Sequence, residues 1–467
     1  MSNNKPSSKV PASRLSRFAK LGGLASGIAA RAIASSAGEL MQARRPNVKS
    51  TLLNSANATA ISKSLSEMRG AAMKVGQMLS MDAGEFLPQQ WEPILAALRQ
   101  GADTMPKAQL LDTLNEQWGS DWSKHFEYFS FDPIASASIG QVHRARLKKH
   151  IADDAGDKFT PIDAQLAIKV QYPGVAKSID SDIRNVGRLL RLSGVVPSNF
   201  DLESLLSQAA EQLKNEADYE SEARYIESYR KLIEVLQTAQ HTSTTQYADL
   251  PRLLAPDVYR PLSSDKVLCM SFVKGETIDT LVNYDIETKS RVVTQLFSLM
   301  LEELFHSQLI QSDPNFANYL YDADSDTIAV LDFGACRSLE NSISNAYKNI
   351  AHAMLDQDTG AIHKALKELG LVYEKMPDSI TNTIINACLI ASECLQTDSY
   401  NFKASALIQR LFDATKVLTE NRKEIEPPNF DVALVNRKVS GMVLLANKLQ
   451  CSIPLRALVM SALKKGT

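Results

Sequence analysis

The stretch Gln311–Gly334, QSDPNFANYLYDADSDTIAVLDFG, holds more chemistry than any other part of the chain. Three side chains mark it: Asp313, Asn318 five positions on, and Asp332 at the head of Asp-Phe-Gly. Between them, Tyr319–Tyr321 and Thr327–Leu331 are short β-prone runs joined by the turn-forming Asp322–Asp326 segment. The pattern predicts a hairpin that carries the end of the first loop close to Asp332. A carboxylate and a carboxamide brought together suit a hard cation, which takes oxygen ligands. The plainer alternative is an Asp- and Asn-rich turn that binds nothing. D-x-x-x-x-N alone does not exclude it; the correctly spaced Asp-Phe-Gly after an apolar strand argues against it.

Protein kinases use this arrangement for phosphoryl transfer. In those terms Asn318 and Asp332 are the metal ligands, holding Mg²⁺ with phosphate oxygens of ATP. Asp313 is the catalytic carboxylate, accepting a hydroxyl proton or orienting a water.

Upstream, Phe131–Leu147 alternates small and β-branched residues, and after a charged loop comes Gln165–Gln171, QLAIKVQ. Two strands around a loop, the second presenting a lysine, match the phosphate-covering loop and the lysine strand of a kinase N-lobe. Lys169 is the candidate, the alternative being a solvated lysine on an edge strand. The loop departs from G-x-G-x-x-G: Ala135, Ser136, Ala137, Ser138 and Gly140 are the nucleotide-binding candidates, with a single glycine among them. Alanine restricts φ and adds a Cβ where amides would approach phosphate, so a stiffer loop and an altered nucleotide pose are expected.

Such a lysine needs an acidic partner, and Glu222 is chosen from the helical run Leu202–Leu236. On an unbroken helix Asp218 shares its face and Glu216 points elsewhere. Val267–Val273 reads as an apolar strand ending at the hinge, with backbone near Met270–Phe272 meeting an adenine edge. Glu287–Ile310 reads as the amphipathic helix that delivers the catalytic loop.

At 467 residues the chain has room for two or three domains, and its net charge of −2 gives no global sign of nucleic-acid binding. Five cysteines without C-x-x-C favour free thiols in a reducing compartment, and no His/Cys cluster has zinc spacing. No apolar run reaches transmembrane length; the longest uncharged stretch near the start, Leu21–Ala30, is closed by Arg31. Residues 1–38 carry six basic and no acidic residues. Within them, 17–36 is rich in small residues and reads as a close-packing helix, a surface helix for anionic lipid, or part of a transit peptide.

Ile61–Met81 reads as a helix with an apolar stripe at Leu65, Met68, Ala72, Val75 and Leu79. Lys74 and Gln77 lie roughly opposite, where a lysine is ordinarily solvated. Gly76 costs such a helix ~1 kcal/mol against Ala, which suggests close approach of another backbone. Further helices are expected at Gln89–Gln100 and Lys107–Gln117. The tail from Ile343 alternates helices with breaks at Gly360, Gly370, Pro377 and Pro427-Pro428, and His363, Cys388 and Cys394 there read as packing residues.

Taken together, K-x-G-Q (Lys74–Gln77), the alanine-rich loop, Ala167–Gly174, E-x-D (Glu216–Asp218), Asp313–Asn318 and Asp-Phe-Gly resemble the UbiB/ADCK family of atypical kinases, ubiquinone-biosynthesis branch. The resemblance implies an α+β, protein-kinase-like, two-lobed fold with an N-terminal helical extension. The expected division is a basic, disordered leader (1–16), the extension (17–125), a small β-rich N-lobe (126–273) and a helical C-lobe (274–467). It implies that Lys74 and Gln77 occlude the space of a peptide substrate and meet Glu216 and Asp218, reversing the solvated reading of Lys74. Both acids face the site only if their helix is distorted.

The implied activity is ATP binding with hydrolysis or phosphoryl transfer in support of coenzyme Q synthesis, with lipid or quinone-biosynthesis enzymes as partners. The absence of A-P-E and the few residues left for an activation segment favour a non-peptide acceptor, and Gln311-Ser312 in place of His-Arg before Asp313 argues against phosphorylation-controlled ordering of such a loop. A second class is a pseudokinase-like scaffold that binds nucleotide without turnover. The expected location is the cytoplasmic face of a bacterial inner membrane, the alternative the mitochondrial matrix.

Overall fold

The computed structural model describes residues 68–82, 104–148, 165–192, 201–242, 249–313, 315–421 and 425–464. The leader, the segment 17–36, the start of the K-x-G-Q helix and the helix expected at Gln89–Gln100 lie outside them. The chain divides into two units, one running to Ala223 and resuming over Asp257–Phe272, the other comprising Arg224–Pro256 and everything from Val273. Arg224–Pro256, inside the expected N-lobe, thus folds with the second unit.

The first unit contains the helices α1 (Arg69–Asp82), α2 (Lys107–Trp118), α3 (Val175–Leu192) and α4 (Leu202–Glu216), and the start of α5 (Tyr219–Thr242). Its strands are β1 (Phe126–Phe129), β2 (Ala135–Ser136), β3 (Gly140–Leu147), β4 (Gln165–Gln171) and, beyond β5 (Arg252–Leu254) of the other unit, β6 (Val267–Ser271). They form one antiparallel sheet, β1-β3-β4-β6, with β2 on β3. Strand β4 is central rather than an edge. Its alternation sends Leu166, Ile168 and Val170 into a core with Leu110, Leu114, Trp122 and Leu147, while Lys169 and Gln171 take the opposite face, also buried.

The single helix expected over 202–236 is two. It breaks at Ala217, and Asp218 restarts it by accepting the Ser221 N–H at 2.9 Å.

In the second unit, α6 (Ile286–Glu302) is capped by Asp285 and ends in a π turn, Glu303–Ser307, well before Ile310. Gln308, at φ 53°, then turns the chain into β8 (Leu309–Gln311). The predicted hairpin is present as β9 (Tyr319–Asp322) and β10 (Thr327–Val330), with β5 parallel to β10 and β7 (Glu276–Thr277) against β9. Strand β11 (Cys336–Ser338) returns to β8. Helices α7 (Asn341–Asp356), α8 (Thr359–Glu368), α9 (Asp378–Ser392), α10 (Leu407–Glu420), α11 (Phe430–Leu449) and α12 (Leu455–Lys464) complete the unit. Gly360 does not break the chain: the break falls at Gln357, and Asp358 caps α8 by accepting from Gly360 and Ala361. Burial pushes the Cys388 and Cys394 thiols up to about 11 and 12, so both are inert packing groups.

Gln141 and His143, two apart on one face of β3, are wholly buried. The His143 Nδ1–H donates to Ser130 O at 2.8 Å, so Nε2 accepts from the Gln141 amide at 2.8 Å, and Gln141 Oε1 accepts the Met105 N–H at 2.8 Å. Burial lowers the His143 pKa to about 4, against an opposing contribution from Ser130. The unfolded chain therefore binds this proton more readily, and stability is complete above pH ~6.5 and falls as pH drops toward 4, by up to ~3 kcal/mol. Denaturant unfolding between pH 7.5 and 4.5 should show this decline, and His143→Gln should flatten most of it.

Candidate functional site

In the first unit Lys169 Nζ lies 2.8 and 2.9 Å from the two Glu222 oxygens, with both side chains buried. The partner chosen from the sequence is the partner found. Glu222 reaches the lysine from the first turn of α5, and the Tyr219 ring lies 5.2 Å from Lys169 Nζ. Gln171, two residues along β4, donates to Ala217 O at 3.0 Å and ties the strand to the helix break.

That break separates the E-x-D acids. Glu216, at the end of α4, is buried and pairs with Lys74 of α1 at 2.7 Å; it also accepts from the Ser138 hydroxyl. Lys74 is buried, contrary to what its place opposite the apolar stripe suggests and in line with the family expectation. Gln77 is half-buried on the same helix. Asp218 is exposed and serves as the cap of α5.

Ala135–Gly140 forms a tight hairpin in which Ala137 N–H donates to Gly140 O at 2.9 Å. Ala135 is exposed; Ser136, Ala137 and Ser138 are half-buried. A Cβ at Gly140 would run into the Val170 carbonyl and the Tyr219 hydroxyl, so its glycine is required by packing against β4. A close backbone approach is found at Gly70 of the same helix, where a Cβ would meet the Ser138 carbonyl. Helix α1 thus rests directly on the hairpin tip.

At the expected hinge, Met270 lies in β6 opposite Ala167, and its side chain is buried. The Phe272 N–H already donates to Gln165 O at 3.0 Å, and its ring lies 4.4 Å from the Arg144 guanidinium. A ligand at this position would meet the Phe272 carbonyl rather than its amide.

In the second unit the hairpin register brings the two candidate metal ligands together. Tyr319 lies opposite Val330, so Asn318 falls opposite Leu331, whose N–H donates to Asn318 O at 2.9 Å; Asp332 is the next residue. Asp332 Oδ1 accepts the Gly334 N–H at 3.1 Å and is half-buried. The Asn318 carboxamide is buried, and its Nδ2 has no hydrogen-bond partner among the described residues. A buried carboxamide with an unsatisfied end leaves room for a ligand atom, and its oxygen together with the Asp332 carboxylate has the donor chemistry that suits a magnesium ion. Asp313 is buried, with Oδ1 accepting the Asn315 N–H at 3.1 Å. Gln311, which the sequence reading left without a role, donates from Nε2 to Asp332 O at 3.3 Å.

Gly70→Ala should lower the melting temperature. Helix propensity alone favours Ala by ~1 kcal/mol, whereas the clash with Ser138 costs ~1–3 kcal/mol, so calorimetry reads the contact from the sign.

A family model described as the ABC1 atypical kinase-like domain matches residues 97–366, more than half of the chain. The mitochondrial atypical kinase COQ8B of Danio rerio is 33% identical over 453 residues, covering 96% of this chain and 68% of that one. The mitochondrial atypical kinase COQ8 of Saccharomyces cerevisiae is 31% identical over 451 residues, covering 96% and 84%. Among solved structures, Rv3197 of Mycobacterium tuberculosis, in complex with erythromycin, matches with a TM-score of 0.55 at 20% identity over 84% of this chain and 92% of that one, a likeness of fold alone. With its α+β, kinase-like fold and the motifs described above, the chain belongs to the ABC1, or UbiB/ADCK, family of atypical kinases.

Proposed function

We propose that this protein binds ATP with Mg²⁺ and works as an atypical kinase or ATPase in support of ubiquinone biosynthesis, on a non-peptide or lipid-linked acceptor. The observation that carries the reading is the buried two-oxygen pair of Lys169 and Glu222. A lysine so held presents its charge to the α- and β-phosphates in a fixed place. Ala135–Gly140 covers the phosphates, and the strand end around Met270 and Phe272 borders the adenine.

Asn318 and Asp332 hold the magnesium, which when bound supplies charge neutralisation on the phosphate oxygens. Asp313 takes the proton of the attacking hydroxyl or orients a water. A non-peptide acceptor is supported by the short path from Asp332-Phe-Gly through β11 to α7. The occluding role proposed for Lys74 and Gln77, with Lys74 held by Glu216, fits the same choice.

The partners proposed are ATP and ADP, a membrane surface or lipid, and enzymes of quinone synthesis. Among the described residues no helix is long and apolar enough to cross a membrane, and the acid-free N-terminal segment is the proposed peripheral contact. The relatives named above are mitochondrial, which supports the matrix alternative over a bacterial inner membrane.

A second reading, a nucleotide-binding scaffold without turnover, is favoured by one observation: Ser138 and Lys74 already engage Glu216, so α1 and the hairpin are locked together. Mg²⁺-dependent ADP release, with and without anionic vesicles, separates the two. Turnover in the wild type that falls at least ~100-fold in Asp332→Asn supports the enzyme. Equal low rates in both leave the scaffold. Ala135→Gly should alter nucleotide preference or self-phosphorylation, and unchanged affinity and labelling would remove the role given to the stiff loop.

A further inference from the structure

Behind the Asp332 turn, within the second unit, a chain of buried polar groups leads away from the metal ligands. Lys438 of α11 pairs with Glu303, the first residue of the π turn, and both are almost wholly buried. Glu303 also accepts the hydroxyl of Tyr229. The Tyr229 oxygen in turn accepts the Gln311 backbone N–H at 3.2 Å, and its ring meets Phe333 edge-on with centroids 5.0 Å apart. Gln311 completes the path: Oε1 accepts from the Tyr319 hydroxyl at 3.1 Å, which turns Nε2 toward the Asp332 carbonyl. Burial pushes both phenols well above their usual range, so each keeps its proton and donates.

Each bond in this chain sets the direction of the next. The Glu303 oxygen makes Tyr229 a donor, which leaves a Tyr229 lone pair for the Gln311 amide. A buried ion pair adds little net stability over apolar residues of the same volume; its best-supported use is to specify one arrangement. Glu303 also stands where α6 passes into π geometry, a distortion frequent at functional sites.

We propose that Tyr229, with the Glu303–Lys438 pair behind it, is a positioning residue for the metal ligands. It holds the Gln311 strand, which leads into Asp313, and the Asp332-Phe333 turn in one geometry, without itself touching nucleotide or metal. The inference rests on the magnesium-nucleotide reading above.

The test uses the full chain with a non-hydrolysable ATP analogue, Mn²⁺ binding followed by electron paramagnetic resonance, and analogue binding measured separately without metal. Tyr229→Phe removes the hydroxyl and keeps the ring on Phe333; Tyr319→Phe removes the donor that orients Gln311. Mn²⁺ affinity should fall by about tenfold in Tyr229→Phe, and in the same direction in Tyr319→Phe, the scale of lost outer hydrogen bonds to metal ligands. Metal-free analogue binding should stay within about twofold of wild type. The inference is overturned if both variants keep wild-type Mn²⁺ affinity, or if metal and analogue affinities fall by the same factor, as general loosening would produce. Should Tyr229→Phe not fold, Tyr319→Phe decides by the same criteria. A wild type that binds analogue but no Mn²⁺ sinks the magnesium reading itself, a result distinct from either.

Discussion

Two charges removed from water, Lys169 on the central strand and Glu222 on α5, set the terms for the first unit. Breaking such a pair from one side costs ~3–5 kcal/mol, because the remaining charge stays buried. The pair therefore demands that β4 be covered on both faces and that a helix begin where Glu222 can reach inward. Asp218 supplies that beginning by capping α5 directly after the break. The same break frees Glu216 to end α4 against Lys74. On a continuous helix, residues six apart lie about 120° from each other, so two acids facing two lysines need the interruption.

The second unit answers a different constraint, the spacing of two oxygen donors. Antiparallel register brings Asn318 opposite Leu331 and so beside Asp332, with no long-range contact required. Orientation of those donors is another matter. It passes through Gln311, whose amide and carboxamide are both engaged by tyrosines, and back to a charge pair on α6 and α11. Local pairing supplies proximity, and tertiary packing supplies aim.

What was legible in the sequence follows the same division. The hairpin, β4 and the strand Val267–Ser271 showed in periodicity, because each depends on short-range pattern, while the Lys169–Glu222 pairing, 53 residues apart, came from the need of a kinase-type lysine for an acidic partner. Lys74 did not: its neighbours describe a solvated position, and only Glu216, far along the chain, accounts for its burial. The break at Ala217 was invisible because alanine is the strongest helix former, and its interruption comes from the Asp218 cap and the Gln171 bond. Nothing in the sequence singles out Gly70 either, since what requires a glycine there is the Ser138 carbonyl, far along the chain. The contacts among Tyr229, Glu303 and Lys438 carried no signal, since a tyrosine, a glutamate and a lysine on separate helices satisfy no spacing rule.

The parallel pairing of β5 with β10 bears on how the protein is made. Emerging from a ribosome, Arg252–Leu254 appears long before Thr327–Val330, the strand it pairs with. Meanwhile β6 follows β5 out and completes the earlier sheet beside β4. For the time taken to synthesise the intervening residues, β5 is an unpaired strand, with main-chain groups open to any passing strand. Its outward Arg252 is the kind of charge that blunts such an edge until its own partner arrives.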